Sequence, residues 1–173
     1  MRKLFILLFF SQFVSAKETN LYISVSEFLT DQRESYVELY FGIDNYSLDY
    51  VKKEAGFIGG LEVIVSIFQD GNIITGDRFR INSPIYKDTS GLDQILFHQQ
   101  RFLLNKGSYE MQLQIVDIND TIERYEYSRN IILTLNKDSV DYSQVLFLES
   151  FSPASESPKN SYVRSGYALL PII

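Results

Sequence analysis

The sequence contains no cysteine and no tryptophan, and only one histidine and four prolines in 173 residues. Without cysteine there is no disulfide, no thiol nucleophile and no thiolate ligand for a metal. A lipoprotein-type anchor is excluded too, since it is attached to a cysteine directly after the cleavage site. The single histidine, His98, lies in LFHQQRF, where no second ligand accompanies it. A Ser-His-Asp triad would have to use His98, yet no serine sits in G-x-S-x-G. His98 is therefore expected to be a strand residue with a hydrogen-bonded ring. No G-x-G-x-x-G or P-loop occurs to cradle a phosphate. Long apolar runs are missing as well. LFILLFF near the start is too short for a membrane span, which needs ~20 apolar residues.

That short run has a different reading. Arg2-Lys3 precedes it and SQFVSA follows it, the order of charge, apolar stretch and small residues in a secretory signal peptide. Residues 1–16 are read as that peptide, with cleavage after Ala16 and Lys17 as the new N-terminus. Cleavage removes two basic residues and no acidic one, so the net charge moves from −6 to −8. Such acidity argues against nucleic acid, whose binding needs clustered Lys and Arg, and against anionic lipid surfaces. The expected location is the periplasm or the medium, with other cell-envelope proteins as partners and no membrane span after cleavage.

Beyond residue 16 the pattern is β, with aromatic and β-branched residues alternating with polar ones. Seven strands are predicted, near Leu21–Val25, Tyr36–Ile43, Leu61–Ile67, Ile73–Ile81, Gln94–Leu103, Tyr109–Ile115 and Tyr125–Leu135. Asp70-Gly71 predicts a hairpin turn between the third and fourth. Short connections and one wet face per strand suit two packed antiparallel sheets. Between the fifth and sixth strands stands Leu104-x-x-Gly107-x-Tyr109. That spacing, in that place, is expected to form the tyrosine corner of Greek-key sandwiches, with Gly107 giving freedom at the bend. The fold expected for residues 17–137 is an all-β, immunoglobulin-like Greek-key sandwich. It would lack the antibody core markers, since Met111 stands where the cysteine would be.

Residues 138–173 read as a linker, rich in Ser and Pro at FSPASESPKNS, and then the beginning of a second, incomplete β domain. Val145–Leu148 is one further candidate strand.

Few residues suggest chemistry. Tyr36 and Tyr40 share the side of the second strand opposite its aliphatic face, with Glu38 between them. Exposed there, they would form a platform for a carbohydrate or a peptide. Asp117, Asn119, Asp120 and Glu123 gather oxygen ligands of the kind calcium takes, but their spacing is not that of an EF-hand. An Asp/Asn-rich turn is the expected reading. Asn45-Tyr46-Ser47 and Asn119-Asp120-Thr121 match the N-glycosylation pattern. Scattered carboxylates leave a carboxylate-based hydrolase as a remote alternative. No cofactor, metal or catalytic residue is assigned.

The segments YVELYFGID, a hydrophobic strand after Gly59-Gly60, INSP, QQRF and GSYEMQLQIVD follow one another in that order. In this order the chain resembles a group of uncharacterised secreted proteins of Bacteroidota, from about Tyr36 through Gly166-Tyr167. Through some of these it is similar to the GWxTD-motif proteins of that phylum, although no tryptophan is present to supply that motif. The resemblance implies export and an N-terminal sandwich, and it implies no catalytic residues. The expected function is that of an exported, non-catalytic structural or protein-interaction module.

Overall fold

The computed structural model describes residues 19–30, 34–88, 92–121, 124–134, 145–156, 162–164 and 166–172. The signal-peptide reading and Glu123 lie outside them. In chain order the strands are β1 (Leu21–Leu29), β2 (Ser35–Asp44), β3 (Val51–Lys53), β4 (Gly56–Ile58), β5 (Gly60–Gln69) and β6 (Asn72–Asn82). They continue with β7 (Ile95–Leu103), β8 (Gly107–Asp117), β9 (Arg124–Leu133), β10 (Leu148–Pro153), β11 (Tyr162–Arg164) and β12 (Tyr167–Pro171). The helical elements among the described residues are two short 3-10 turns, at Asn45–Ser47 and Ala154–Glu156.

Seven of these strands coincide with the seven expected from alternation. They form an immunoglobulin-like Greek-key sandwich. One sheet has the order β1-β2-β7 and the other β6-β5-β8-β9. The chain makes two strands of the first sheet, crosses to make β5 and β6, returns to lay β7 against β2, and crosses again for β8 and β9. All these pairings are antiparallel. In constant-type antibody domains the fourth strand joins the sheet of the first two. Here the fourth, β6, pairs instead with β5.

The core lies between the sheets. Val37, Leu39, Phe41 and Ile43 of β2 face Leu61, Val63, Val65 and Ile67 of β5 and Met111, Leu113 and Ile115 of β8. All eleven are essentially inaccessible to water. Burial of such side chains is worth about 1.5–3 kcal/mol each against full exposure. That is what fixes the register, because a one-residue slip would turn every one of them to the other face. The β5–β6 hairpin closes through Asp70 at φ 50° and Gly71 at φ 78°. Both central residues are left-handed, as a type I′ turn demands, so the Asp-Gly pair sets this register locally.

The two long seams of the sandwich are tied by side chains. At the β1–β9 seam, Glu27 Oε2 accepts from the Thr134 backbone N–H at 3.1 Å. Near the other end of the same seam, the Thr19 N–H donates to the Tyr125 hydroxyl at 3.3 Å. At the β6–β7 seam, Gln100 donates to Asp77 at 2.7 Å, and the His98 ring stacks on Phe79 at 4.6 Å.

Alternation missed two parts of the fold. The β3–β4 hairpin uses strands of three residues each, too short to show a period. The Ser/Pro-rich stretch expected as a linker runs as strand over Leu148–Pro153 and as a 3-10 turn over Ala154–Glu156. Proline is tolerated there because Pro153 ends its strand. With β11 and β12 this strand makes a three-stranded sheet of order β10-β12-β11.

Candidate interaction site

The sheet period places Tyr36, Glu38 and Tyr40 on the outer face of β2, as expected. Their exposure is the reverse of what alternation suggests. Tyr36 is 5% exposed, and Glu38 and Tyr40 are fully buried. An exposed tyrosine platform is thus ruled out at these positions. The reason is topological: β2 is the central strand of its sheet, and both of its faces are covered. A strand buried on both sides reads as a near-continuous apolar run. YVELYFGI, with one charge in eight residues, carries that signal.

Neighbouring strands supply the cover. Register sets Phe28 of β1 beside Tyr36, and sets Arg101 and Gln99 of β7 beside Glu38 and Tyr40. Phe28 and Tyr36 have ring centroids 5.7 Å apart, and Tyr40 and Phe97 are 6.0 Å apart. The Arg101 guanidinium lies 4.6 Å from the centre of the Tyr36 ring. It also donates twice to Glu38 Oε1, from Nε at 3.1 Å and from one terminal nitrogen at 2.6 Å. The Tyr40 hydroxyl donates to the other carboxylate oxygen, Oε2.

A second guanidinium arrives from far along the chain. Arg164, at the end of β11, donates to Glu38 Oε1 at 3.1 Å and to the Tyr36 hydroxyl at 2.7 Å. Its charged end sits 4.1 Å from the centre of the Phe28 ring. An isolated carboxylate buried this deeply would cost several kcal/mol. Two cations and a phenol offset that cost. The charge is held where two separate parts of the chain meet.

Other sequence candidates have structural roles. Tyr109 opens β8 and its hydroxyl donates to the Asn105 carbonyl at 2.8 Å, so the tyrosine corner is formed. Burial pushes the Tyr109 phenol above its ordinary pKa. Leu104 is 5% exposed and joins the core beside it. Gly107 does not supply the freedom at a bend that the sequence suggests. Its φ is not left-handed, and a Cβ there would meet only the movable end of the Gln69 side chain at 2.9 Å and the Tyr109 ring at an ordinary 3.5 Å.

Asp117 and Asn119 form a latch. The Asp117 carboxylate accepts from the N–H groups of Asn119 at 2.8 Å, Asp120 at 3.3 Å and Asp49 at 3.0 Å. The Asn119 side-chain amide donates to the carbonyls of Asp49 at 2.8 Å and Ile58 at 2.9 Å. These bonds pin the β2–β5 connection to the β8–β9 turn. Among the described residues, no cluster of three or more His, Asp or Glu is placed to hold a metal ion. Of the two glycosylation-pattern asparagines, Asn45 is fully buried. It accepts from the Tyr50 hydroxyl and donates to the Tyr86 hydroxyl, each at 2.7 Å.

His98 faces the core from β7, between Phe79 and Phe41. The expected hydrogen bond is missing at one ring nitrogen: Nε2 is buried and has no partner. Burial holds the imidazole below its usual pKa, against the opposing pull of Gln100 and Asp77.

No protein-family model matches this chain, and no curated protein matches it significantly. The fold alone defines the class, an immunoglobulin-like sandwich. None of the described helical segments is long and apolar enough to cross a membrane.

Proposed function

We propose that this chain is an exported, non-catalytic structural or protein-interaction module of a bacterial cell-envelope or secreted protein. Its binding element is the outer face of β1-β2-β7, and what it binds is a β-structured segment presenting arginine. One observation carries the reading: fully buried Glu38 is neutralised jointly by Arg101 from within the sandwich and by Arg164 from the C-terminal sheet. The basic, apolar and small-residue order of residues 1–16 supports export.

Hydrogen–deuterium exchange on the full chain tests the docking. With Arg164→Ala, exchange should rise at Phe28, Tyr36 and β10–β12 while the core of β5 and β8 stays protected. Unchanged exchange at Phe28 and Tyr36 would show that the face does not depend on its arginine. Mass spectrometry of the exported protein tests the other half, with Lys17 as the expected first residue.

A further inference from the structure

We infer that the pocket formed by Phe28, Tyr36 and Glu38 is an arginine-recognition site, occupied in cis by Arg164 and selective for a guanidinium over an ammonium. The inference rests on the docking reading above and adds the chemistry of the ligand.

One feature selects a guanidinium, and two more place it. The Phe28 ring presents a face at 4.1 Å, on which a planar, weakly hydrated cation stacks better than a compact, strongly hydrated one. The Tyr36 hydroxyl and Glu38 Oε1 offer acceptors, and one terminal nitrogen of Arg164 reaches both, at 2.7 and 3.1 Å. Those acceptors are fixed by groups inside the sandwich. Arg101 holds Glu38 Oε1 and covers the Tyr36 ring, and the Tyr40 hydroxyl holds Oε2.

The walls named here come from β1 and β2 and are braced from β2 and β7, whereas Arg164 comes from β11. A site whose walls are braced from inside the sandwich loosens when its occupant leaves but re-forms around a new one at little cost in reorganisation. An arginine on another segment, with an extended backbone able to lie as β11 does, meets the same pocket.

The test uses the full-length chain with Arg164→Ala and two probes. One is L-argininamide. The other is a peptide of residues 161–170, SYVRSGYALL, together with its version carrying lysine for arginine. Titration calorimetry should show the arginine peptide binding the Arg164→Ala chain at least ~10-fold more tightly than the wild type, whose pocket is filled. The lysine peptide should bind at least ~10-fold more weakly than the arginine peptide. Adding Glu38→Gln should abolish both signals. L-argininamide should bind weakly and in a Glu38-dependent way, marking the guanidinium itself as the ligand. If Arg164→Ala fails to fold, the same titrations on Arg164→Lys should show the arginine peptide displacing the resident lysine.

Equal affinity for the arginine and lysine peptides would overturn the inference, as would binding that survives Glu38→Gln or no binding at all. These results separate from failure of the docking reading. That reading fails when exchange at Phe28 and Tyr36 is unchanged by Arg164→Ala. The present inference alone fails when exchange rises and the arginine probes do not bind selectively.

Discussion

The Tyr109 hydroxyl donates to the backbone carbonyl of Asn105, four residues earlier, at 2.8 Å. The bond crosses the turn by which the chain passes from β7 in one sheet to β8 in the other. It leaves the Tyr109 ring 5% exposed among the core residues. Tyr109→Phe keeps the ring and removes only the bond, leaving the Asn105 carbonyl short of a partner. The expected loss is about 1–2 kcal/mol, read as a lower denaturant midpoint at unchanged slope. A midpoint equal to the wild type would show that the corner does not stabilise this sandwich.

Glu38 and Arg101 give the second prediction. Arg101→Met leaves a fully buried carboxylate with Arg164 and Tyr40 but without the two donors of Arg101. The expected destabilisation is about 2–3 kcal/mol, below that for a fully orphaned buried charge because Arg164 remains. Adding Glu38→Gln removes the charge that needed neutralising. The double variant should therefore be more stable than Arg101→Met alone. Equal or lower stability of the double variant in urea titration would contradict a buried, charged Glu38.

How these residues appear in the sequence explains what could be read there. Met111, Leu113 and Ile115 are legible because β8 is buried on one face, and half-burial writes a period of two. The type I′ turn was legible because Asp-Gly is a local preference. Tyr109 was legible because its partner lies four residues away. Alternation puts Tyr36 and Tyr40 on the right face but not in the right environment, because the cover of Tyr36 includes Arg164, 128 positions away, and Tyr40 packs on Phe97 of another strand. A period of two says which residues share a face, and it does not say what lies on that face. Residues 45–59 and the latch at Asp117 and Asn119 were illegible for a related reason. Their hydrogen bonds join loops to loops and leave no repeat in the sequence.

The latch yields a third prediction. The Asn119 amide donates to two carbonyls. Asn119→Asp is nearly isosteric, yet it replaces the donors with a carboxylate beside the carbonyls of Asp49 and Ile58 and close to Asp117. The expected cost is about 2–3 kcal/mol at neutral pH, since two acceptors lose their donor and gain a repelling neighbour. Part of that loss should return in acid, where the new carboxyl protonates and can donate once. Thermal unfolding of the variant at pH 7 and pH 4, relative to wild type at the same pH, measures it. A shift in the melting midpoint that is the same at both pH values would assign the cost to shape rather than charge.

His98 supplies the last prediction. Burial holds its pKa below the ordinary value near 6.5, so the native state resists a proton that the unfolded chain accepts. With more protons bound in the unfolded state, stability must rise with pH across that interval. Read downward, stability is intact above about pH 6.5 and declines as pH falls toward the depressed native value. Below that value both states are protonated and His98 adds no further change. The ring sits in the β6–β7 seam, stacked on Phe79 with Asp77 nearby, and its buried Nε2 has no acceptor to meet a proton. The cost of charging it therefore falls on contact between the two sheets. His98→Phe keeps an aromatic ring against Phe79 and cannot titrate. Unfolding free energies measured from pH 7.5 to 5 should fall more steeply for the wild type than for His98→Phe. Parallel curves would show that the imidazole is reached by water in the folded protein and is not held neutral by the seam.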